Sequence, residues 1–496
     1  MTIRSHREPA AGLSANVVVR PQQERNSVRT AKPQAAPLSQ ILEMELATRG
    51  VADVLVVLGS ALRQAPVPRN MKVMDLGAGL KKLTASAPQP GRSAAMELAG
   101  HFTSSAASNR GALLMALAAN VERSRLANPR PRGASSNLAA GLQRSAGAKL
   151  PPPVRYFPRL GVMLGTVDAR GCAALQSDER VASVTVAPLL QLIRPIKVAT
   201  ANLGHQYTWG IEAMRIPELW AKGFTGKNVK VGHLDTGVDG KHPALRKAIA
   251  GFAYFDDFGN LQMPPPKAFD TEDHGTHTAA TIAGRPVKKQ HVGIAPGAML
   301  ESACVIEGGY ATARVLGGMD WAIGQGVRVL NMSLGFPGYQ PDFLTLTQIL
   351  REKNVLPVFA IGNEGPGTSR SPGNYSEALS VGATDEDRQV ADFSSSESLP
   401  RTEDPNVPDL VAPGVDVISA QPGGGYQSMS GSSMATPHIS GLAALLIEAC
   451  TQAKREVSVD ELERAILDSC QLGTIAPERG GSGFPDAVLA LSKLGL

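Results

Sequence analysis

The octapeptide Gly431-Ser432-Ser433-Met434-Ala435-Thr436-Pro437-His438 is followed by an apolar run, Ile439-Ser440-Gly441-Leu442-Ala443-Ala444-Leu445-Leu446-Ile447. Apolar residues fall on nearly every face of a helical period, which predicts a buried helix. Proline is tolerated in the first turn, so Pro437 predicts a helix start within a residue or two of Ser433. The Ser433 hydroxyl then lies among free backbone N–H groups at the positive end of the helix dipole. That position suits a nucleophile whose reaction makes an oxyanion. It equally suits a plain serine N-cap, and the octapeptide alone leaves both readings open.

Two further stretches bear on the choice. In Val229-Lys230-Val231-Gly232-His233-Leu234-Asp235-Thr236-Gly237-Val238-Asp239 an apolar strand ends on an acid and turns at Gly237. Asp273-His274-Gly275-Thr276-His277-Thr278-Ala279-Ala280 opens a helical pattern. A serine hydroxyl attacks a carbonyl at neutral pH only if a histidine takes its proton and an acid fixes the tautomer of that histidine. The three segments supply these groups in the order Asp235, His274, Ser433.

Together the three motifs resemble those of the subtilisin-like serine peptidases (subtilases, peptidase family S8), for which this chain order is known. The resemblance covers roughly Trp209 to the C-terminus. It implies an α/β fold, a mainly parallel twisted sheet with helices on both faces, and a serine endopeptidase acting on protein or peptide substrates. Asn363, in Phe359-Ala360-Ile361-Gly362-Asn363-Glu364-Gly365, matches the family residue that donates its amide to the oxyanion; read alone it is also a plain turn. Ser333, Leu334 and Gly335 resemble the edge strand that pairs with substrate, and Gly308 and Gly309 fall at the opposite edge. The resemblance also implies substrate-binding roles for Ala360 and Gly362. Arg370 aligns near its floor and Glu364 near its rim; the two either pair or leave Arg370 free to favour an acidic side chain.

Periodicity gives an independent view of the fold. Strands at Met299–Ile306, Val327–Leu334, Val355–Ile361 and Leu379–Ala383 alternate with helices near Ala311–Gln325 and Asp342–Glu352. This argues a two-sided parallel sheet with functional residues at the C-terminal ends of strands.

The chain has 496 residues, which predicts two or three domains. Residues 1–40 are polar and read as a disordered arm. Residues 41–188 are expected to form a small α+β, ferredoxin-like domain that resembles the family's inhibitory propeptide. Its strands are placed at Val51–Leu58, Arg159–Leu164 and Val181–Val186, with a helix over Asp168–Glu179. An Ala/Gly/Ser/Pro-rich insertion spans about 62–153, with a helix at Ala112–Ala127 and a stiff Pro151-Pro152-Pro153 end. Residues 189–207 read as a processing linker, similar to the short inhibitory leader of intracellular subtilisins. Residues 208–496 are expected to form the peptidase domain.

Residues 1–200 carry 26 Lys+Arg against 11 Asp+Glu, a net +15, and residues 201–496 carry 23 against 33, a net −10. A solvated basic surface, nucleic-acid binding and mutual attraction of the halves are the three readings. Nucleic acid has no aromatic platform or named motif behind it. Attraction fits a basic cap on an acidic enzyme, and the expected partner is the chain's own N-terminal part, self-cut once between Leu192 and Tyr207.

Met1–Gln40 lacks an apolar signal core and no run reaches the ~18 apolar residues of a membrane helix. The expected location is cytoplasmic, with non-classical export as the alternative. Cys172, Cys304, Cys450 and Cys470 lack metal-ligand spacing and are expected as free thiols. No cofactor or metal is expected. Ala244 stands where many relatives have a calcium-ligating Asp, and the following loop, Arg285-Pro286-Val287-Lys288-Lys289-Gln290, is basic. His277 and His438 are expected to pack in the core, and His233 to face away from Asp235 across its strand.

Overall fold

The computed structural model describes residues 40–68, 71–76, 90–103, 154–256, 259–307, 311–401 and 405–496. The polar arm before Gln40, the Ala112–Ala127 helix, the Pro151–Pro153 run and Gly308–Gly309 lie outside the described residues.

The N-terminal layer comprises helix α1 (Gln40–Arg49), strands β1 (Val51–Leu58) and β2 (Met74–Asp75), helix α2 (Pro90–Leu98), strands β3 (Val154–Phe157) and β4 (Val162–Asp168), helix α3 (Ala169–Ser177) and strand β5 (Val181–Val186). The five strands form an antiparallel sheet in the order β2-β3-β4-β1-β5. The expected strand over Arg159–Leu164 begins instead at Val162, because residues 158–161 turn a hairpin with Gly161 at φ +63°. Asp168 caps α3 by accepting from Gly171 N, as a short acid before a helix does.

β1 is apolar without alternation from Val54 to Leu58 because both of its faces are covered there. Val54, Val56 and Leu58 share a cluster with Leu98, Cys172 and Leu175 of the layer's own helices. Leu55 and Val57 belong to a second cluster with Phe157, Leu160, Leu316 and Met319, which continues into the following domain.

The segment expected as a linker forms two more strands, β6 (Gln191–Leu192) and β7 (Lys197–Ala201). Beyond it come β8 (Lys230–Asp235), β9 (Ile249–Tyr254), α4 (His274–Ala283), β10 (Met299–Cys304), α5 (Ala311–Gln325), β11 (Val329–Met332), β12 (Leu334–Pro337), α6 (Leu344–Glu352), β13 (Leu356–Ala360), β14 (Arg370–Ser371), β15 (Leu379–Thr384), β16 (Glu397–Ser398), β17 (Asn406–Val407), β18 (Leu410–Pro413), β19 (Val417–Ala420), β20 (Tyr426–Ser430) and α7 (Ser432–Gln452). Seven of these strands form a sheet in the order β18-β15-β13-β11-β8-β10-β9, every neighbouring pair parallel. Side chains alternate between its faces: Val231, Val329 and Val358 join the cluster of α4 and α7, while Leu234, Leu330 and Phe359 join that of α5. The fold is therefore the α/β architecture expected. No helix among the described residues is long and apolar enough to cross a membrane.

Three arginines of the basic half bond to residues of the acidic half, two to carboxylates and one to a neutral amide. Arg63 donates to both oxygens of Glu352 at 2.9 and 3.2 Å. Arg155 donates to Asn260 Oδ1 at 2.8 and 3.0 Å. Asp320 on α5 is 1% exposed. It accepts from Arg159 N at 2.6 Å, Leu160 N at 3.2 Å and Arg159 Nη1 at 3.0 Å. Breaking a buried pair strands the remaining charge. Arg159→Ala is expected to cost about 3 kcal/mol, and Asp320→Asn, which keeps an acceptor oxygen, less; thermal unfolding of the full chain distinguishes the two.

Candidate active site

The three expected residues converge at the C-terminal edge of the parallel sheet. Asp235 ends β8, His274 opens α4 and Ser433 is the second residue of α7. His274 Nδ1 lies 2.7 Å from Asp235 Oδ1. Oδ1 also accepts from Thr236 N at 2.7 Å, and Oδ2 from Thr278 Oγ1 at 3.1 Å. Both side chains are buried. Burial alone would raise the Asp235 carboxyl, but the adjacent imidazole lowers it below the usual carboxylate value. Burial likewise opposes protonation of His274, and the Asp235 charge outweighs it, so that imidazole is raised.

Pro437 lies inside α7 rather than in its first turn. Its missing N–H would have bonded the carbonyl of residue 433, and Ser333 Oγ takes up that oxygen at 3.3 Å. Asn363 follows β13. Its Oδ1 accepts from Ser432 N at 2.8 Å and Ser432 Oγ at 2.9 Å, which fixes the amide beside the start of α7 with its nitrogen left to donate.

A peptide already runs through this site, and it is the chain's own. β6 adds antiparallel to β12, pairing Leu192 with Leu334 and Gln191 with Gly335. Ile193 N donates to Ser333 O at 3.0 Å. On the other side β7 adds antiparallel to β20, and Ile196 N donates to Ser430 O at 2.8 Å. Between these anchors Ser433 Oγ donates to Ile193 O at 2.7 Å, whereas Asn363 Nδ2 donates to Arg194 O at 2.9 Å. His274 Nε2 makes no hydrogen bond among the described residues. The Arg194 guanidinium grips Glu272, two residues before His274, at 2.8 and 3.0 Å.

Of the expected substrate-binding residues, Ser333, Leu334 and Gly335 contact this segment, and Gly308 and Gly309 fall outside the described residues. Ala360 ends β13, and Gly362 adopts φ +124° just beyond it. Arg370 donates to Glu364 Oε1 at 2.9 and 2.6 Å, so it is a paired cation rather than a free one. Ala244 is buried, and its carbonyl accepts Arg285 N at 2.8 Å. The loop that begins at Arg285 carries Lys288 and Lys289 and no carboxylate up to Gln290. All four cysteines are free thiols.

One expectation is overturned. His233 does not face away from Asp235: residues two apart on a strand share a face, and His233 Nε2 lies 3.7 Å from Asp235 Oδ2. That spacing was the signal available in the sequence. His277 and His438 pack as expected, with His277 Nε2 at 2.9 Å from Val417 O and His438 Nδ1 at 2.8 Å from Met434 O.

Burial pushes His233 down to about 4, His277 to about 3 and His438 to about 4, from an ordinary 6.5. In the unfolded chain these imidazoles protonate near 6.5, so between 6.5 and about 4 the unfolded state binds more protons. Stability therefore falls as pH falls through that window. The expected result is a melting temperature that drops steadily below pH 6.5, with a shallower drop in His438→Gln.

The model of the subtilase family, peptidase S8, matches residues 226–483. The major intracellular serine protease of Bacillus subtilis (strain 168) is 34% identical over 285 residues, which span 55% of this chain and 86% of that protein. The intracellular serine protease of Paenibacillus polymyxa is 36% identical over 299 residues, 58% of this chain and 87% of that protein. Subtilisin E of Bacillus subtilis (strain 168) is 32% identical over 303 residues, 59% of this chain and 72% of that protein. By its sheet, its converging site and these matches, the chain belongs to the subtilase family of serine endopeptidases.

Proposed function

We propose that this endopeptidase works through Ser433, His274 and Asp235, and that its N-terminal layer and the segment 189–207 hold it autoinhibited. Ser433 Oγ attacks the scissile carbonyl carbon while its proton passes to His274 Nε2, and the carbonyl electron pair moves onto oxygen. Asn363 Nδ2 and the Ser433 N–H receive that oxyanion. The tetrahedral adduct collapses, the C–N bond breaks, and the Nε2 proton leaves with the amine. Water then repeats the cycle on the acyl-enzyme. Asp235 keeps the imidazole in the Nδ1–H tautomer.

The single observation that carries autoinhibition is the path of residues 191–201 through the cleft. A covalently tethered segment sits beside the nucleophile at high effective concentration. Catalysis needs the nucleophile and the oxyanion donor on one carbonyl. Here Ser433 holds Ile193 O and Asn363 holds Arg194 O, and the nucleophile's proton goes to the Ile193 carbonyl rather than to its base. The carbonyl in the amide's grip belongs to a proline peptide bond, Arg194–Pro195. A shift of one residue is needed before the segment is cut, and one main self-cut between Leu192 and Tyr207 is the expected processing event. The two intracellular relatives support action inside the cell on proteins or peptides.

The test uses a fluorophosphonate probe and N-terminal sequencing of fragments. Ser433→Ala abolishes labelling and stays full length, while wild type trims within 192–207. Asn363→Ala keeps labelling but loses roughly 10²–10³ in turnover, a figure that comes from subtilisin. Probe labelling unchanged in Ser433→Ala would sink the assignment. Wild type that stays intact, but gains activity on Arg194→Ala, makes the segment a plug rather than a processing site. A rapid, unlagged activity of the intact chain overturns autoinhibition altogether.

The basic corner around Ala244 supports the absence of the family's high-affinity calcium site. Excess chelator is expected to leave the melting temperature within a degree or so of the untreated chain, since losing a bound ligand otherwise lowers it by the ligand's linkage energy. A large drop reversed by calcium overturns this.

A further inference from the structure

Behind Asp235, on the side away from His274, lies a row of buried polar groups that the triad does not use. His233 on β8 is fully buried. Its Nδ1 is 3.0 Å from Ser302 Oγ on β10, directly across the ladder, and its Nε2 is 2.9 Å from Thr278 Oγ1 on α4. Thr278 Oγ1 in turn reaches Asp235 Oδ2 at 3.1 Å. Buried polar groups in an apolar sheet core are costly unless every one is satisfied.

Proton counting orders this row. The Thr278 hydroxyl has one proton and three acceptors in range: Asp235 Oδ2 at 3.1 Å, His274 O at 3.1 Å and Gly275 O at 3.2 Å. The ionised acceptor wins, because charge-assisted bonds are about twice as strong as neutral ones. The Thr278 oxygen then accepts from His233 Nε2–H. That leaves His233 Nδ1 bare, and the Ser302 hydroxyl fills it. The opposite tautomer takes the Thr278 proton for the ring and strips Asp235 Oδ2 of the one hydrogen bond it has among the described residues.

We propose that Ser302, His233 and Thr278 form a proton-ordered relay, every hydrogen pointing toward Asp235, whose role is to position that carboxylate and to moderate its charge. These are positioning residues: none of them touches substrate. The inference rests on Asp235 and His274 being the catalytic acid–base pair. A hydrogen bond donated into Asp235 Oδ2 withdraws negative charge from the side that faces His274. Removing it leaves the carboxylate less compensated, so the imidazolium is held more strongly and His274 titrates at higher pH.

The groups facing this pair are Asp273 and Glu272 just before α4, with Arg194 paired to Glu272; Asp270 beside Thr236; His277 one turn along α4; and the Cys304 thiol opposite Asp235 on β10. None of them is substituted in the variants compared.

The experiment is a pH titration of the full-length chain, labelled with ¹⁵N-histidine, followed through the low-field Nδ1–H signal of His274 and the ring nitrogens of His233. Wild type is expected to show His233 neutral, with Nε2 protonated and Nδ1 bare, between about pH 5 and 9. Thr278→Val, nearly isosteric, should raise the His274 midpoint by about half a unit to one unit, the size of one hydrogen bond. Thr278→Ser should restore it. His233→Gln, which still offers an N–H to Thr278, should stay near wild type, and His233→Leu should shift in the direction of Thr278→Val. A protonated Nδ1 on His233, or a Thr278→Val chain that loses stability but leaves the His274 midpoint unmoved, overturns the relay. Asp235→Asn separates the two levels: if the low-field signal survives there unchanged, it is the triad reading that fails.

Discussion

A carboxylate closed off from solvent sits at the end of an interior strand of the parallel sheet, and the surrounding structure is arranged to hold its charge. Asp235 is taken out of solvent at the point where β8 stops. An isolated buried carboxylate is untenable, so its oxygens need donors from close range. The donors come from Thr236, from His274 and from Thr278. Two of the three lie on α4, so strand end and helix start are joined through one side chain. That junction is tight: a Cβ on Gly275 would come within 2.0 Å of Gly237 O, and Gly237 itself sits at φ +116°. The glycines beside the acid and the histidine are there because backbone approaches backbone.

The same economy of distance governs how the chain's own segment lies in the cleft. Strand addition on both flanks fixes where a peptide enters and leaves. Ile193 is anchored on Ser333 and Ile196 on Ser430. The path between them is then set by two local constraints. Pro195 has a fixed φ and no N–H to offer, and the Arg194 side chain is drawn to Glu272. The carbonyls of Ile193 and Arg194 consequently go to different partners. In the autoinhibited reading, geometry within one residue separates a substrate from an inhibitor, and it does so without altering any group of the triad.

The catalytic half was legible because its signals are local. A strand ending on an acid, a His at the head of an alanine-rich helix and a serine at the head of an apolar one each declare themselves within about ten residues. The helix over Ala311–Gln325 and the strands at Val51–Leu58 and Val181–Val186 have the bounds their patterns predict. What escaped is decided by partners far along the chain. β6 is two residues long and β7 is largely exposed, so neither carries a periodicity; each is a strand only because β12 or β20 lies alongside. Helix α1 fully buries Leu42 alone, which leaves no stripe to read. The net charge of the N-terminal half pointed to attraction, but the contacts rest on Arg63, Arg155 and Arg159, and no count of charges singles those out.

His233 shows how a single period error hides a relationship. Side chains two apart on a strand share a face, so a histidine two before a buried aspartate must stand beside it. Once it does, its two ring nitrogens each need a partner at a place closed to bulk solvent. The adjacent strand meets one need with Ser302 at the matching register, and the adjacent helix meets the other with Thr278. A histidine in an apolar strand, a threonine amid alanines and a serine in a buried strand each look like a lone polar exception. Placed together they satisfy one another in series, and the last hydroxyl of the series ends on the carboxylate that orients His274. The polar content of this part of the core is thus a consequence of where Asp235 must be.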